Sequence, residues 1–195
     1  MPSPNGPSRT DESTPEPARK GRPQPKRMTQ RRMENIATFY IQRFATTAAH
    51  LKRVLLRRAA PALKAHGGDK AEIATWADEI VARFERTGIV DDARYAATRV
   101  ASLARLGKGP GKIRTILRAN GVAPALINEL VAELDEDEDQ TLKAATAYAQ
   151  RRRLGPFRKD KVPAEERRNQ ESKDLAALGR AGFSYAIAKR ALSES

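Results

Sequence analysis

The chain has 195 residues, of which 39% are hydrophobic and only 5% aromatic, and it carries a net charge of +13. Scarce aromatic residues exclude a large β sandwich or barrel, and a chain rich in Ala, Leu, Arg and Glu predicts helices. The positive charge predicts a polyanionic partner, nucleic acid ahead of an anionic membrane surface, because Lys and Arg displace counterions condensed on phosphates.

Several kinds of site are excluded by residue counts. The chain has no cysteine, so it has neither disulfides nor thiolate metal sites. Its two histidines, His50 and His66, cannot form a zinc site by themselves. We therefore expect no cofactor and no metal. The N-terminus lacks a signal-like segment, and no apolar run approaches the ~20 residues that span a bilayer, so we expect an intracellular, cytoplasmic protein.

Residues 1–32 contain almost no large apolar side chain. They hold eight basic and three acidic residues, a net charge of +5 out of +13. Such a segment cannot bury enough surface to offset its ordering entropy, which predicts a disordered basic tail.

Three helices are predicted after the tail, because three groups of apolar residues recur at helical spacing. A segment with Pro61 and two glycines, Ala59–Lys70, predicts the break between the second and third helices, and Gly88 is the expected C-cap of the third. The apolar residues of the three groups are Ile36, Phe39, Tyr40 and Phe44, then Leu51, Val54 and Leu55, then Ile73, Trp76, Ala77, Ile80, Val81 and Phe84.

The same order of three helices is predicted twice more. In the second set, Asp91 or Asp92 caps a helix, a Gly-rich turn at 107–111 follows, and a short helix closes at Gly121 before Pro124 opens another. In the third set, a charged, Pro-rich stretch from Gly155 to about Glu166 separates two helices, and Ser184 caps the last.

A direct comparison of two segments supports the repeat. ILRANGVAPALINELV at 116–131 aligns without gaps on ALGRAGFSYAIAKRAL at 177–192, which places Gly121 on Gly182 and Val122 on Phe183. Each helix should end on a glycine with positive φ, with the next apolar residue packing back. The predicted fold is all-α, with three tandem three-helix repeats at 33–88, 89–135 and 136–195.

Candidate contacts with a polyanion fall in two basic clusters. The first lies between residues 94 and 118, where seven cations occur without one acid, and the second lies near 151–158. The alternative for any such cluster is a solvated face. The candidates are Arg94, Arg99, Arg105, Lys108, Lys112, Arg114 and Arg118 in the first cluster, and Arg151, Arg152, Arg153 and Arg158 in the second.

Three other motifs have structural interpretations. The Asp91–Asp92 pair precedes a helix, where a carboxylate accepts backbone N–H bonds. The run Gly107–Lys112 is not a P-loop, since Ile113 follows the lysine; it is expected to be a basic turn at a helix N-terminus that can meet a phosphate or a carboxylate. Six acids in the seven positions 133–139 are expected to form a linker that also favours the next helix N-terminus.

Four segments together resemble the RecX family of bacterial recombination regulators, over roughly residues 34–192. They are FERTGIVDDARYAATRV at 84–100, LGKGPGKIRTILRANGV at 106–122, RLGPFR at 153–158 and RAGFSYAIAKRAL at 180–192. The resemblance implies an elongated, curved array that binds along the groove of a RecA filament on single-stranded DNA. It also implies restraint of the ATPase, strand-exchange and co-protease activities of RecA.

Two other classes of function were compared with filament regulation. An enzyme is disfavoured, because the sequence holds no Ser/His/Asp set and no convincing nucleotide loop. A helix-turn-helix protein that binds DNA generally or at specific sequences is the alternative, although few base-reading side chains follow Gly121 or Gly182. We expect RecA and single-stranded DNA as partners, with double-stranded DNA as a further one. No heptad seam is sustained, and we expect a monomer.

Overall fold

The computed structural model describes residues 24–159, 163 and 165–193. In this part of the chain the regular structure is entirely helical, with nine α helices and one 3-10 turn at Gly155–Phe157 and no strand, which confirms the predicted fold class. The helices are α1 (Gln30–Ile41), α2 (Ala48–His66), α3 (Lys70–Arg86), α4 (Asp92–Arg105), α5 (Pro110–Ala119), α6 (Pro124–Glu136), α7 (Glu138–Arg152), α8 (Arg167–Ala181) and α9 (Tyr185–Ser193).

The buried apolar side chains divide into three clusters in chain order. The first joins α1, α2 and α3, the second joins α4, α5 and α6, and the third joins α7, α8 and α9. Each three-helix unit therefore encloses a small core of its own, as expected for a repeat protein in which each unit packs mainly on its neighbours. The exact residue boundaries of the units stay a prediction.

The first helix begins inside the segment that the sequence assigned to the tail. Thr29 caps α1, its hydroxyl accepting a hydrogen bond from the amide of Arg32 at 3.2 Å. Met28 precedes the cap and is buried in the same cluster as Met33 on the first turns. This is the arrangement of a hydrophobic staple, which fixes the entry of the chain into a helix. The tail prediction is thus wrong for residues 28–32, and its first 23 residues lie outside the described part.

The predicted break at Ala59–Lys70 is wrong for most of its length. Helix α2 continues to His66 with Pro61 inside it, and only residues 67–69 separate it from α3. Ala59 and Ala62 are buried in the first core cluster on the helix face that also buries Leu55. Tertiary packing of this face outweighs the cost of one proline.

The pair Asp91–Asp92 caps two different helices. The Asp91 carboxylate accepts a hydrogen bond from the amide of Arg94 at 2.8 Å and so caps α4. The Asp92 carboxylate accepts one from the amide of Ala48 at 2.8 Å, at the first residue of α2. The capping prediction is confirmed, and one of the two caps joins the second unit to the first.

Two glycine corners have the conformation predicted from the aligned segments. Gly121 follows α5 at φ 84°, and Gly182 follows α8 at φ 97°. The next residues, Val122 and Phe183, are buried, and their amides donate to carbonyls five residues earlier. This hydrogen bond pattern is that of a Schellman end, which satisfies carbonyls that the helix leaves unpaired.

Two charged segments are more ordered than the sequence suggested. Helix α6 extends to Glu136, and Asp137 then caps α7 by accepting from the amide of Gln140 at 2.9 Å, so residues 133–139 are helix ends rather than a linker. After α7, buried Asp174 accepts hydrogen bonds from the amide of Gly155 and the guanidinium of Arg158, both at 2.8 Å. Residues 155–158 therefore do not belong to a flexible insertion.

The middle helices of the three units, α2, α5 and α8, meet end to end. At one junction the carbonyls of Ala181 and Gly182 accept hydrogen bonds from the amides of Gly109 and Gly111, both at 3.0 Å. At the other junction, the carbonyl of Ala119 at the end of α5 accepts from the guanidinium of Arg53 on α2 at 2.8 Å. The C-terminus of each later helix thus faces the N-terminus of the earlier one, which aligns their dipoles favourably.

Replacing Gly182 by Ala should weaken the junction between α5 and α8. A Cβ at this position would overlap the backbone nitrogen of Lys112, and an L-residue is strained at φ 97°. We expect the Gly182→Ala variant to lose about 2 kcal/mol or more of unfolding free energy, measured by urea titration followed by circular dichroism.

Gly179→Ala is the matched control for that substitution. It lies three residues earlier in α8, where a Cβ would meet nothing within 4 Å. Alanine there should leave stability unchanged or raise it by up to about 1 kcal/mol, since it favours the helix. Equal unfolding free energies for the two variants would contradict the importance of the glycine junction.

A candidate basic interface

The predicted contact residues separate into four groups with different surroundings. Some line a cleft between α5, α7 and α8, two line a groove between the first and second units, two are engaged in ion pairs, and the rest are exposed singly. Only the first group brings together cations from both predicted clusters.

Four cations surround one concave site, which we call the basic cleft: Lys108, Lys112, Arg152 and Arg180. The cleft has a volume of about 380 Å³, and the remaining lining residues are Tyr148, Leu154, Ala177 and Ala181. Among the described residues, no carboxylate lines it. Like charges repel in such a site, so it favours a ligand that brings several negative charges, such as a chain of phosphates.

The cleft is held by contacts between the second and third units. Lys108 and Lys112 flank the start of α5, Arg152 ends α7, and Arg180 lies in the last turn of α8. The end-to-end junction of α5 and α8 places the last of these beside the two lysines. The position of the cations therefore depends on the same backbone hydrogen bonds that join the units.

Arg151 lies next to the cleft and crosses from the third unit to the second. Its guanidinium packs against Gly107, where a Cβ would be 3.1 Å from Nη2. The guanidinium also lies 6.0 Å from the centre of the Tyr148 ring, and that of Arg152 lies 5.9 Å from the same ring. A ring face of this kind attracts cations weakly and limits their motion.

Two predicted contact residues serve the fold. Nη1 and Nη2 of the Arg114 guanidinium both donate to the carboxylate of Asp135 on α6, and this hydrogen bonding raises the pKa of Arg114. Arg158 donates to both carboxylate oxygens of Asp174, at 2.8 and 2.9 Å, and this carboxylate is 4% exposed. A cation held in this way has little freedom to meet a partner, and neither residue lines the basic cleft.

The backbone at the start of α5 is not open to an anion as the sequence suggested. Its amides at Gly109 and Gly111 already donate to the carbonyls that end α8. A phosphate could reach the side chains of Lys108 and Lys112, but not these two amides. The basic turn lies at the start of α5, and its two lysine side chains rather than these amides are what it offers to an anion. Its contact with a phosphate or a carboxylate stays a prediction.

The remaining candidates lie outside the cleft. Arg94 and Arg99 line a groove between the first and second units, together with His50. Burial lowers the pKa of His50, with a further effect of Arg53 and Arg57, which favours the neutral form of this imidazole. Arg105 is exposed and lines a smaller hollow together with Lys108. Arg118 and Arg153 are exposed at the ends of α5 and α7.

Arg180 was missed by sequence reasoning. The gapless alignment of the two corner segments places it on Ala119, so the repeat itself gives no sign of a cation there. It reaches the cleft only because α8 docks on the start of α5. A contact of this kind between residues about 70 positions apart cannot be read from local pattern.

The described residues were also compared with what a metal site and a membrane-spanning helix require. No group of three or more His, Asp or Glu side chains there could hold a metal ion. No helix in the same ranges is long and apolar enough to cross a membrane. The arrangement that stands out is a cation-lined cleft on a row of small helical units, which defines an all-helical repeat protein with a basic cleft at a junction between units.

Comparison with known proteins agrees with this class. A family model described as the second three-helix domain of RecX matches residues 91–130. The regulatory protein RecX of Myxococcus xanthus (strain DK1622) is 36% identical over 176 residues, covering 90% of this chain and 92% of that relative. The chain belongs to the RecX family of regulatory proteins, which confirms the resemblance seen in the sequence.

Solved structures share the fold. The crystal structure of RecX from Lactobacillus salivarius aligns with a TM-score of 0.59 at 19% identity, over 85% of this chain and 95% of that chain. A second crystal structure of regulatory protein RecX gives the same TM-score at 20% identity, over 85% of this chain and 72% of that one. The succession of three-helix units is thus common to these proteins.

Arg152 and Arg158 should respond differently to substitution by alanine. Arg158→Ala leaves the buried carboxylate of Asp174 without its cation, and we expect it to lower the unfolding free energy by about 2 kcal/mol. Arg152→Ala should change stability by no more than about 1 kcal/mol, because only exposed contacts are lost.

Binding to heparin, a general polyanion, should show the opposite order. We expect Arg152→Ala to elute at lower salt than the parent protein and Arg158→Ala to elute with it, when both are folded at the temperature of the column. A clear loss of heparin affinity in Arg158→Ala alone would show that the cleft has been assigned to the wrong arginine.

Proposed function

We propose that this protein is a non-enzymatic regulator, chiefly an inhibitor, of the RecA recombinase. It binds in the groove of the RecA filament on single-stranded DNA and modulates the ATPase, strand-exchange and co-protease activities of that filament. It acts in the cytoplasm as a monomer, and duplex DNA is a further partner because it presents the same phosphates. Membership of the RecX family supports the choice of partner.

The observation that carries this function is the basic cleft. Its four cations come from two units and face one opening, which no carboxylate of the described part of the chain lines. A filament offers a repeating array of phosphates and acidic side chains, so a cleft that spans a junction between units can meet charges from more than one filament subunit. Bridging neighbouring subunits in this way would hinder the changes that accompany ATP turnover.

The helix-turn-helix alternative has no observation in its favour. A recognition helix reads base edges with exposed polar side chains near its N-terminus. The first turns of α6 and α9 expose Pro124, Ala125 and Tyr185, which provide few hydrogen bonds for this purpose. Binding to DNA through phosphates, without sequence preference, fits the cleft better.

Reversing the charge of the cleft should abolish regulation. We expect the triple variant K108E/K112E/R152E to need at least about tenfold more protein for half-maximal inhibition of the DNA-stimulated ATPase of RecA, because like charges then face the filament. The measurement is a titration of the full chain into RecA on single-stranded DNA, with helical content checked by circular dichroism.

The triple variant R58E/K64E/K70E is the matched control. It changes the net charge by the same amount at exposed positions of the first unit, away from the cleft. We expect it to inhibit like the parent protein. Equal loss in both triple variants would assign the effect to net charge, and full inhibition by the cleft variant would remove the cleft from the interface. If the parent protein leaves the ATPase unchanged, the proposed function is wrong.

A further inference from the structure

A second concave surface lies between the first and second units, and α4 lines it from its N-cap Asp91 to Ser102. It has a volume of about 590 Å³, within the range of about 300–1,000 Å³ that is usual for ligand sites. We call it the aromatic groove and define it by the residues on which its chemistry depends: Tyr40, Phe44, Ile89, Arg94, Tyr95 and Arg99.

The groove presents an aromatic ring that is exposed and yet held in place. Phe44 is 54% exposed, although its ring lies 5.1 Å from the ring of Tyr40, at an interplanar angle of 38°. The Tyr40 hydroxyl is in turn 3.2 Å from Nε2 of His50 on α2. The Phe44 ring is thus in contact with a hydrogen-bonded neighbour, while about half of its surface stays accessible to a ligand.

Cations accompany the ring. Arg94 and Arg99 line the groove. Asp91, the one carboxylate that lines it in the described ranges, already accepts the amide hydrogen of Arg94 as the cap of α4. An exposed aromatic ring beside arginines is the combination that binds single-stranded nucleic acid, since bases stack on rings and phosphates pair with cations. Hydroxyl groups of Thr98 and Ser102 on the same wall can bond to bases of any kind.

The groove also leads toward the basic cleft. Arg94, Thr98, Ala101 and Arg105 follow one another at spacings of four, three and four residues, so they form one stripe along α4. Beyond the end of the helix, Lys108 lines a smaller hollow together with Arg105. This helix has 14 residues and is about 21 Å long. A strand that stacks a base at the groove can therefore continue over Arg94 and Arg105 to the lysines of the cleft.

We infer that the aromatic groove is a stacking site for the bases of single-stranded nucleic acid. Phe44 supplies the open ring face, and Arg94 and Arg99 hold the adjacent phosphates. The inference rests on the proposed function, because the RecA filament supplies the single strand that the groove would bind. Binding itself needs no recombinase, so the protein should recognise bases on its own.

The competing occupant is an apolar segment of a protein. Ile89 is 52% exposed at the rim, and an apolar side chain could fill the groove beside it. A single inserted side chain would use the ring but not the stripe of cations that runs away from it. The stripe fits a ligand with regularly spaced negative charges, which favours the nucleic acid.

The test compares two labelled single strands of equal length by fluorescence anisotropy with the full chain and no recombinase. One is a mixed-sequence oligodeoxynucleotide, and the other is an abasic strand with the same number of phosphates. We expect the abasic strand to bind at least about fivefold more weakly, because stacking is lost. Phe44→Ala should remove this preference and leave the salt dependence unchanged, since phosphate contacts persist.

Phe39→Ala is the matched control, because Phe39 is 55% exposed on the same unit but does not line the groove. It should keep the preference for bases. Equal affinities of the parent protein for the two strands, a preserved preference in Phe44→Ala, or an equal loss in Phe39→Ala would each overturn the inference. A Phe44→Ala variant that keeps the preference but no longer inhibits RecA would assign the groove to a protein segment. Base preference without any effect on RecA would leave the groove assigned and refute only the proposed function.

Discussion

The end-to-end contact of the middle helices is the constraint on which the rest of the structure depends. A helix leaves amides unpaired at its start and carbonyls unpaired at its end. At the junction of α5 and α8, each set satisfies the other, with Gly109 and Gly111 donating to Ala181 and Gly182. The backbones can approach this closely only because three of the four residues are glycines, and a Cβ on Gly109 would lie 2.5 Å from the backbone of Gly182.

The junction of α2 and α5 solves the same problem with side chains. Arg53 donates to the carbonyl of Ala119, the Thr47 hydroxyl donates to that of Asn120, and Asp92 caps the amide of Ala48. Gly121 has the same role as Gly182, since a Cβ there would lie 2.6 Å from that of Ala49. Two different chemistries thus give one geometry, and each junction has a concave site beside it: the basic cleft at one and the aromatic groove at the other.

The local parts of the fold could be predicted, and the contacts between units could not. The glycine corners, the caps at Asp91 and Ser184, and the helices of the second unit follow from short patterns that act within a few residues. The predicted start of α1 and the predicted length of α2 were wrong, because Met28 and Ala59 are fixed by packing on distant helices. The cleft was predicted in part: Lys108, Lys112 and Arg152 were among the candidates, whereas Arg180 depends on a docking that no local pattern encodes.

Acidic and basic side chains have different uses in this protein, and this difference gives it an outward positive surface. Asp69, Asp91, Asp92 and Asp137 each accept a backbone amide at a helix start, and Asp174 is buried against Arg158. A carboxylate at a helix start also interacts favourably with the positive end of the helix dipole, and this interaction partly compensates its negative charge. The cations of the cleft have no such internal role. They converge on one opening instead, so the positive charge that a partner made of phosphates would meet is concentrated at a junction between units.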